Sequence, residues 1–166
     1  FDKKQEGTFC VNDLGKGKRI GLVFLNPSLR TRLSTQIAAQ NLGMETVVFN
    51  VSQDGWSLEF EEGAVMNGTT VKHIKDASPI LGRYFDVLGV RTFPSLKNKE
   101  EDYKENVMNQ FVKYAGIPVV SLESATVHPL QSLTDIITIT DHLPVANKIK
   151  PKVVLTWAPH VKPLPQ

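Results

Sequence analysis

Short apolar runs alternate with longer helical patterns along most of this chain, and that alternation restricts its fold more than any other feature. The runs Arg19–Leu25, Thr46–Val51, Val87–Arg91, Pro118–Leu122 and Lys152–Trp157 read as strands. Helical patterns lie between them at Leu29–Leu42, Val71–Phe85, Glu101–Tyr114 and Pro129–His142. The first carries Leu29, Leu33, Ile37 and Leu42 on one side, with Gly43 placed to terminate it. Thr70 is placed to cap the second, and Pro79 should kink or split it. The third is charged at its start and then carries Val107, Met108, Phe111 and Val112. In the fourth, Leu130, Leu133, Ile136, Ile137 and Ile139 exceed one narrow stripe, which predicts burial on several sides. The expectation is an α/β fold, a parallel sheet with helices on both faces.

In such sheets ligands sit beyond the carboxyl ends of the strands, against helix N-termini. The residues that follow each strand are therefore the candidates for chemistry. After the first come Ser28, Leu29, Arg30 and Thr31, at a helix start whose free N–H groups and dipole favour an anion. The hydroxyls add donors, and Arg30 adds a planar fork suited to phosphate. A solvent-facing cap with exposed charges accounts for these four residues equally well. Arg32, two positions beyond Arg30, should face elsewhere and act in support. Arg91 ends the third strand and must reach solvent, a carboxylate or a ligand. After the fourth strand come Glu123 and then His128-Pro129-Leu130-Gln131, where proline suits the first helical turn and His128 and Gln131 share a face. Singly, His128 is a helix cap and Gln131 a solvated side chain. Together, several strand ends supplying arginines, hydroxyls, a histidine and an amide favour a shared anion site.

Other features have simpler readings. Trp56, in a glycine-containing loop, reads as a core plug, an interface anchor or a ligand contact. His73 and His142 read as surface or packing residues, and Lys16, Lys18 and Arg19 as a small solvated cluster. His160 lies just past the fifth strand, where polar ligand contacts fall.

Composition narrows the classes further. A net charge of +2 is too small for general nucleic-acid affinity, and no glycine-rich phosphate loop is present, so a nucleotide- or RNA-binding domain is the weakest reading. No stretch approaches the roughly 18 apolar residues of a membrane span. The single cysteine, Cys10, can form no internal disulfide, which fits a cytoplasmic protein, and no cysteine–histidine spacing suggests a metal. The N-terminal residues lack a secretory signal's apolar region, and both ends read as cut. Residues 1–143 are expected to form one domain, 144–151 a connector, and 152–166 the start of a second.

Two stretches resemble a known family. Ser28-Leu29-Arg30-Thr31-Arg32 is similar to the Ser-Thr-Arg-Thr-Arg carbamoyl phosphate motif of the aspartate and ornithine transcarbamylases, with leucine in second place. His128-Pro129-Leu130-Gln131 is similar to their His-Pro-x-Gln signature, and Arg91 falls where the family has another phosphate arginine. Trp56, Glu123-Ser124-Ala125-Thr126 and Thr156-Trp157-Ala158-Pro159-His160 resemble the N-acetyl- and N-succinylornithine branch. The resemblance spans nearly the whole chain but only the first half of a transcarbamylase.

It implies the carbamoyl phosphate-binding domain of an enzyme that transfers a carbamoyl group to an acylated ornithine in arginine biosynthesis, with neither cofactor nor metal. It implies that Ser28, Leu29 through its N–H, Arg30, Thr31 and Arg91 hold phosphate. Thr31, Arg91 and His128 would donate to the carbonyl oxygen, and Gln131 would hold the carbamoyl amide beside Pro129 and Leu130. Trp56 would come from a neighbouring subunit of a homotrimer, and Glu123 and His160 would contact the acylated substrate. Val71 would line the acyl group, and an apolar residue there leans toward succinyl over acetyl. A phosphate-binding or assembly module that performs no transfer is the alternative.

Overall fold

The computed structural model describes residues 14–51, 53–143 and 152–156. Four parallel strands form the main sheet: β1 (Arg19–Phe24), β2 (Glu45–Asn50), β5 (Val87–Arg91) and β6 (Val119–Glu123), in the order β2-β1-β5-β6. The central β1 is apolar almost throughout and buried from Ile20 to Phe24, as expected of a strand covered on both faces. The edge strand β2 is never fully buried. The parallel α/β architecture matches the expectation.

Helices α1 (Leu29–Asn41), α2 (Ile74–Tyr84), α3 (Lys99–Tyr103), α4 (Asn106–Tyr114) and α5 (Pro129–His142) connect or follow these strands. One sheet face is closed by α2 and α4, where Val23, Leu88 and Val90 meet Ile74, Met108, Phe111 and Ala115. Each fully buried large side chain there contributes about 1.5–3 kcal/mol. The layers approach closely at Gly21, where any side chain would run into the Phe85 ring. On the other face Ile20, Leu22, Phe24 and Leu122 meet α1 through Ala39. The Leu29, Leu33 and Ile37 side of α1 faces solvent.

The structure corrects several expectations. The second helix begins at Ile74 rather than Val71, because Val71 donates its N–H to Ser57 and the chain stays extended, pairing β4 (Lys72–His73) with β3 (Leu58–Glu59). Its cap is His73, whose Nδ1 accepts from the Lys75 N–H at 3.1 Å, and Thr70 bonds Glu59 instead. Pro79 does not split this helix, which is held by Ile74, Ala77 and Ser78, all fully buried. The third helix is two, broken at Glu105, whose backbone is left-handed. No residue of α5 is buried, against the expected burial on several sides, since β6 is its main support. Residues 152–156 form no strand, because no described backbone pairs with them. No described helix is long and apolar enough to cross a membrane.

Candidate active site

Strand order reverses between β1 and β5: the chain leaves β1 toward β2 on one side and leaves β5 toward β6 on the other. That is where a doubly wound sheet opens a crevice at its carboxyl edge. A cavity of about 670 Å³ lies there, lined by Ser28, Arg30, Thr31, Ser34 and Thr35 from the first helix and its cap. Arg91, Glu123, His128, Leu130, Gln131 and Thr134 complete it from the opposite side.

The α1 flank is built locally. Ser28 is extended and caps the helix: its Oγ accepts the Thr31 N–H at 3.4 Å and donates to Thr31 Oγ1 at 3.0 Å. The first N–H groups of a helix have no acceptor within it, so they stay available to a bound anion. Arg30 is exposed at the rim, and its side chain makes no hydrogen bond or ion pair among the described residues. Its charge is uncommitted. Gly43, at φ 79°, ends α1, as the sequence suggests.

The opposite flank is built over long range. The β5–β6 register slips at its end: Val90 pairs with Ser121, but Arg91 pairs with Glu123. This bulge adds Leu122 as an extra residue and sets Glu123, rather than Leu122, beside the arginine. Arg91 Nη2 donates to Glu123 Oε2 at 2.6 Å, with both side chains more than nine-tenths buried. Nη1 donates to the carbonyls of Asn26 and Pro27, at 3.1 and 3.5 Å, which ties Arg91 to the turn before α1. Nε is buried without a partner, so one guanidinium donor is left over.

His128 caps α5 and accepts the Gln131 N–H at Nδ1, 3.3 Å away. The neutral ring therefore carries its proton on Nε2, which lies 4.0 Å from Glu123 Oε2. Gln131 donates its amide to Asp135 Oδ1 at 2.8 Å, which leaves its carbonyl oxygen unassigned. Both helix N-termini open on this cavity, so two positive dipole ends and the free charge of Arg30 outweigh the carboxylate that Arg91 neutralises.

The structure thus brings Ser28, Arg30, Thr31, Arg91, Glu123, His128, Leu130 and Gln131 to one cavity. Leu29 and Pro129 sit in the first turns of α1 and α5 with their side chains exposed. Trp56 does not reach this cavity: it lines a separate 230 Å³ pocket with Phe49, Tyr84 and Phe85, and Lys72 Nζ lies 5.6 Å from its ring centre. Val71 is exposed and does not line the cavity. His160 lies outside the described residues. Sequence reasoning passed over Ser34, Thr35 and Thr134, although their spacing, one turn beyond Thr31 and Leu130, would have found them.

A family profile described as "Aspartate/ornithine carbamoyltransferase, carbamoyl-P binding domain" matches residues 2–141. The N-succinylornithine carbamoyltransferase of Bacteroides fragilis is 50% identical over 166 residues, covering 100% of this chain and 51% of the relative. The N-acetylornithine carbamoyltransferase of Xanthomonas campestris is 42% identical over 163 residues, covering 96% of this chain and 48% of the relative. The chain therefore spans about half the length of these relatives. A crystal structure of a mutant N-acetyl-L-ornithine transcarbamylase, complexed with carbamyl phosphate and N-succinyl-L-norvaline, superposes with a TM-score of 0.78 at 39% identity. That match covers 84% of this chain and 41% of that one.

Proposed function

Because the chain belongs to the aspartate/ornithine carbamoyltransferase family, we propose that its cavity is the carbamoyl phosphate half of an active site. The reaction moves the carbamoyl group to the side-chain amine of an Nα-acylated ornithine, giving N-acylcitrulline and phosphate. The observation that carries this reading is the convergence of Arg30, Arg91 and the α1 N-terminus on one cavity that His128 also enters.

Ser28, the Leu29 N–H, Arg30, Thr31 and Arg91 hold the phosphate and stabilise it as a leaving group. Thr31, Arg91 and His128 through Nε2–H donate to the carbonyl oxygen as it gains negative charge. The free Gln131 carbonyl accepts from the carbamoyl NH2, between Pro129 and Leu130. The neutral amine attacks the carbonyl carbon, the carbon–oxygen bond to phosphate breaks, and the departing phosphate takes the amine proton. Orientation and electrostatics supply the rate, with no covalent enzyme intermediate.

Glu123 Oε2 is held by Arg91, so Oε1 is the atom offered to the acylated amino acid, with His160 as a second contact. Trp56 completes the site of a neighbouring subunit in a homotrimer, a reading supported by its partial exposure away from its own chain's cavity. Residues 1–143 are the carbamoyl phosphate domain, 144–151 the connector and 152–166 the start of the amino-acid domain, supported by the profile's ending at residue 141. The protein acts in arginine biosynthesis in the cytoplasm. N-Succinylornithine is favoured over N-acetylornithine, a reading supported by the higher identity to the N-succinylornithine enzyme, 50%, than to the N-acetylornithine enzyme, 42%.

The test offers the full-length protein ornithine, N-acetylornithine and N-succinylornithine side by side with carbamoyl phosphate. Fastest product formation with the succinyl compound, as N-succinylcitrulline, supports the reading. Carbamoyl phosphate binding with no transfer to any acceptor would replace it with a binding or assembly module.

A further inference from the structure

Glu105 stands outside the cavity, between α3 and α4, in a conformation that calls for explanation. Its backbone is left-handed, φ 51° and ψ 35°, which costs a residue with a side chain about 1 kcal/mol or more. It occupies the N-cap position of α4, yet its side chain makes no capping bond there. The carboxylate turns instead to the loop joining β6 to α5. Oε1 accepts from Ser124 Oγ at 2.8 Å, the Thr126 N–H at 2.7 Å and Thr126 Oγ1 at 2.6 Å. Oε2 accepts the Ala125 N–H at 3.2 Å.

Four donors on one carboxylate immobilise three consecutive loop residues, and the Ser124 N–H closes the turn on the Val127 carbonyl at 2.9 Å. The loop has a site residue at each end. Glu123, immediately before it, holds Arg91. His128, immediately after it, caps α5 with its Nε2 toward the cavity. No other described side chain outside the loop grips its backbone, so the spacing of these two residues depends on Glu105.

We propose that Glu105 is a positioning residue for the reacting end of the site. It acts through the 124–127 loop to hold Glu123 and His128 in register, and it touches no substrate itself. The inference rests on the transferase reading for its kinetic readout but not for its structural one.

In the full-length protein, Glu105→Gln presents an amide N–H2 where the carboxylate accepted a bond, and Glu105→Ala removes every bond. For Glu105→Gln we expect kcat to fall about tenfold, and for Glu105→Ala about 100-fold, as displaced groups lose alignment. KM for carbamoyl phosphate should stay within about threefold, since the α1 flank is untouched. Independently of turnover, the His128 imidazole resonances, assigned in NMR spectra by His128→Asn, should move in both variants as the ring is displaced. Thr126→Val should add little to Glu105→Ala, because the hydroxyl bond it removes is already gone. Glu105→Gln and Thr126→Val alone, which each keep part of the network, keep the test decisive if Glu105→Ala folds poorly.

Unchanged His128 imidazole resonances in a folded Glu105→Gln protein would overturn the proposal. So would lower stability with kcat and both KM values intact. If the unsubstituted protein transfers nothing, the transferase reading fails and the His128 resonances alone judge Glu105.

Discussion

Ser28, Arg30 and Thr31 reach the cavity from four consecutive residues at one helix start, whereas Arg91, Glu123 and His128 reach it from two strand ends and a braced loop. The first flank is held by one cap and the helix itself. The second needs a buried ion pair, a bulge and Glu105. On the α1 flank, Arg30 can be removed with little effect on the fold, because its side chain bonds nothing else among the described residues. On the β5–β6 flank binding and folding share the same atoms. A substitution there changes both at once.

The strongest break in this comparison is Arg91→Ala. It leaves Glu123 charged and unpaired in the interior, and unfolding should become easier by about 3–5 kcal/mol in denaturant titration. Replacing both partners, as Arg91→Met with Glu123→Leu, should recover much of that stability while phosphate binding stays lost. A double variant that binds phosphate normally would show that the pair is structural only.

Arg30→Ala should do the reverse. Stability should stay within about 0.5 kcal/mol, while carbamoyl phosphate binding measured by calorimetry weakens by about 1.5–3 kcal/mol. Ser28→Ala sits between them, at about 0.5–2 kcal/mol of stability and toward the lower end because the capping bond is 3.4 Å long.

The smallest expected effect is one of pH. Hydrogen bonds from the N–H groups of Ser95, first, and Leu96 hold the half-buried Asp102 carboxyl below the usual carboxylate range and secure the loop after β5. A depressed pKa stabilises the fold fully above the unfolded value of about 3.9. That contribution is lost as pH falls through the lower folded value. Amide exchange at Ser95 and Leu96 should therefore quicken only in acid below that range. Constant protection to still lower pH would show that the loop is held by other bonds.

The same division governed what the sequence could reveal. The strand–helix alternation, Gly43 as terminator and the Ser28–Thr31 cradle depend on neighbours in the chain, so spacing sufficed to read them. Arg91 at a strand end was legible as a charge in need of a partner. Its partner was not, because a register slip 32 residues away decides that Glu123 rather than Leu122 stands opposite. Glu105 sits in a charged stretch that reads as the start of a helix, and no local pattern distinguishes a strut from a solvated acid. The errors at Val71 and α5 share that origin: pairing with β3 extends the first, and the second depends on what lies around it.

That the two flanks converge on one anion is tested most directly by titrating carbamoyl phosphate into the full-length protein while following the Leu29 to Thr31 amides and the Arg91 Nε–H by NMR. These resonances should shift together along one binding curve, and that curve should move to weaker affinity in Arg30→Ala. Shifts at Leu29 to Thr31 without any change at Arg91, or an unaltered curve in Arg30→Ala, would contradict the shared site.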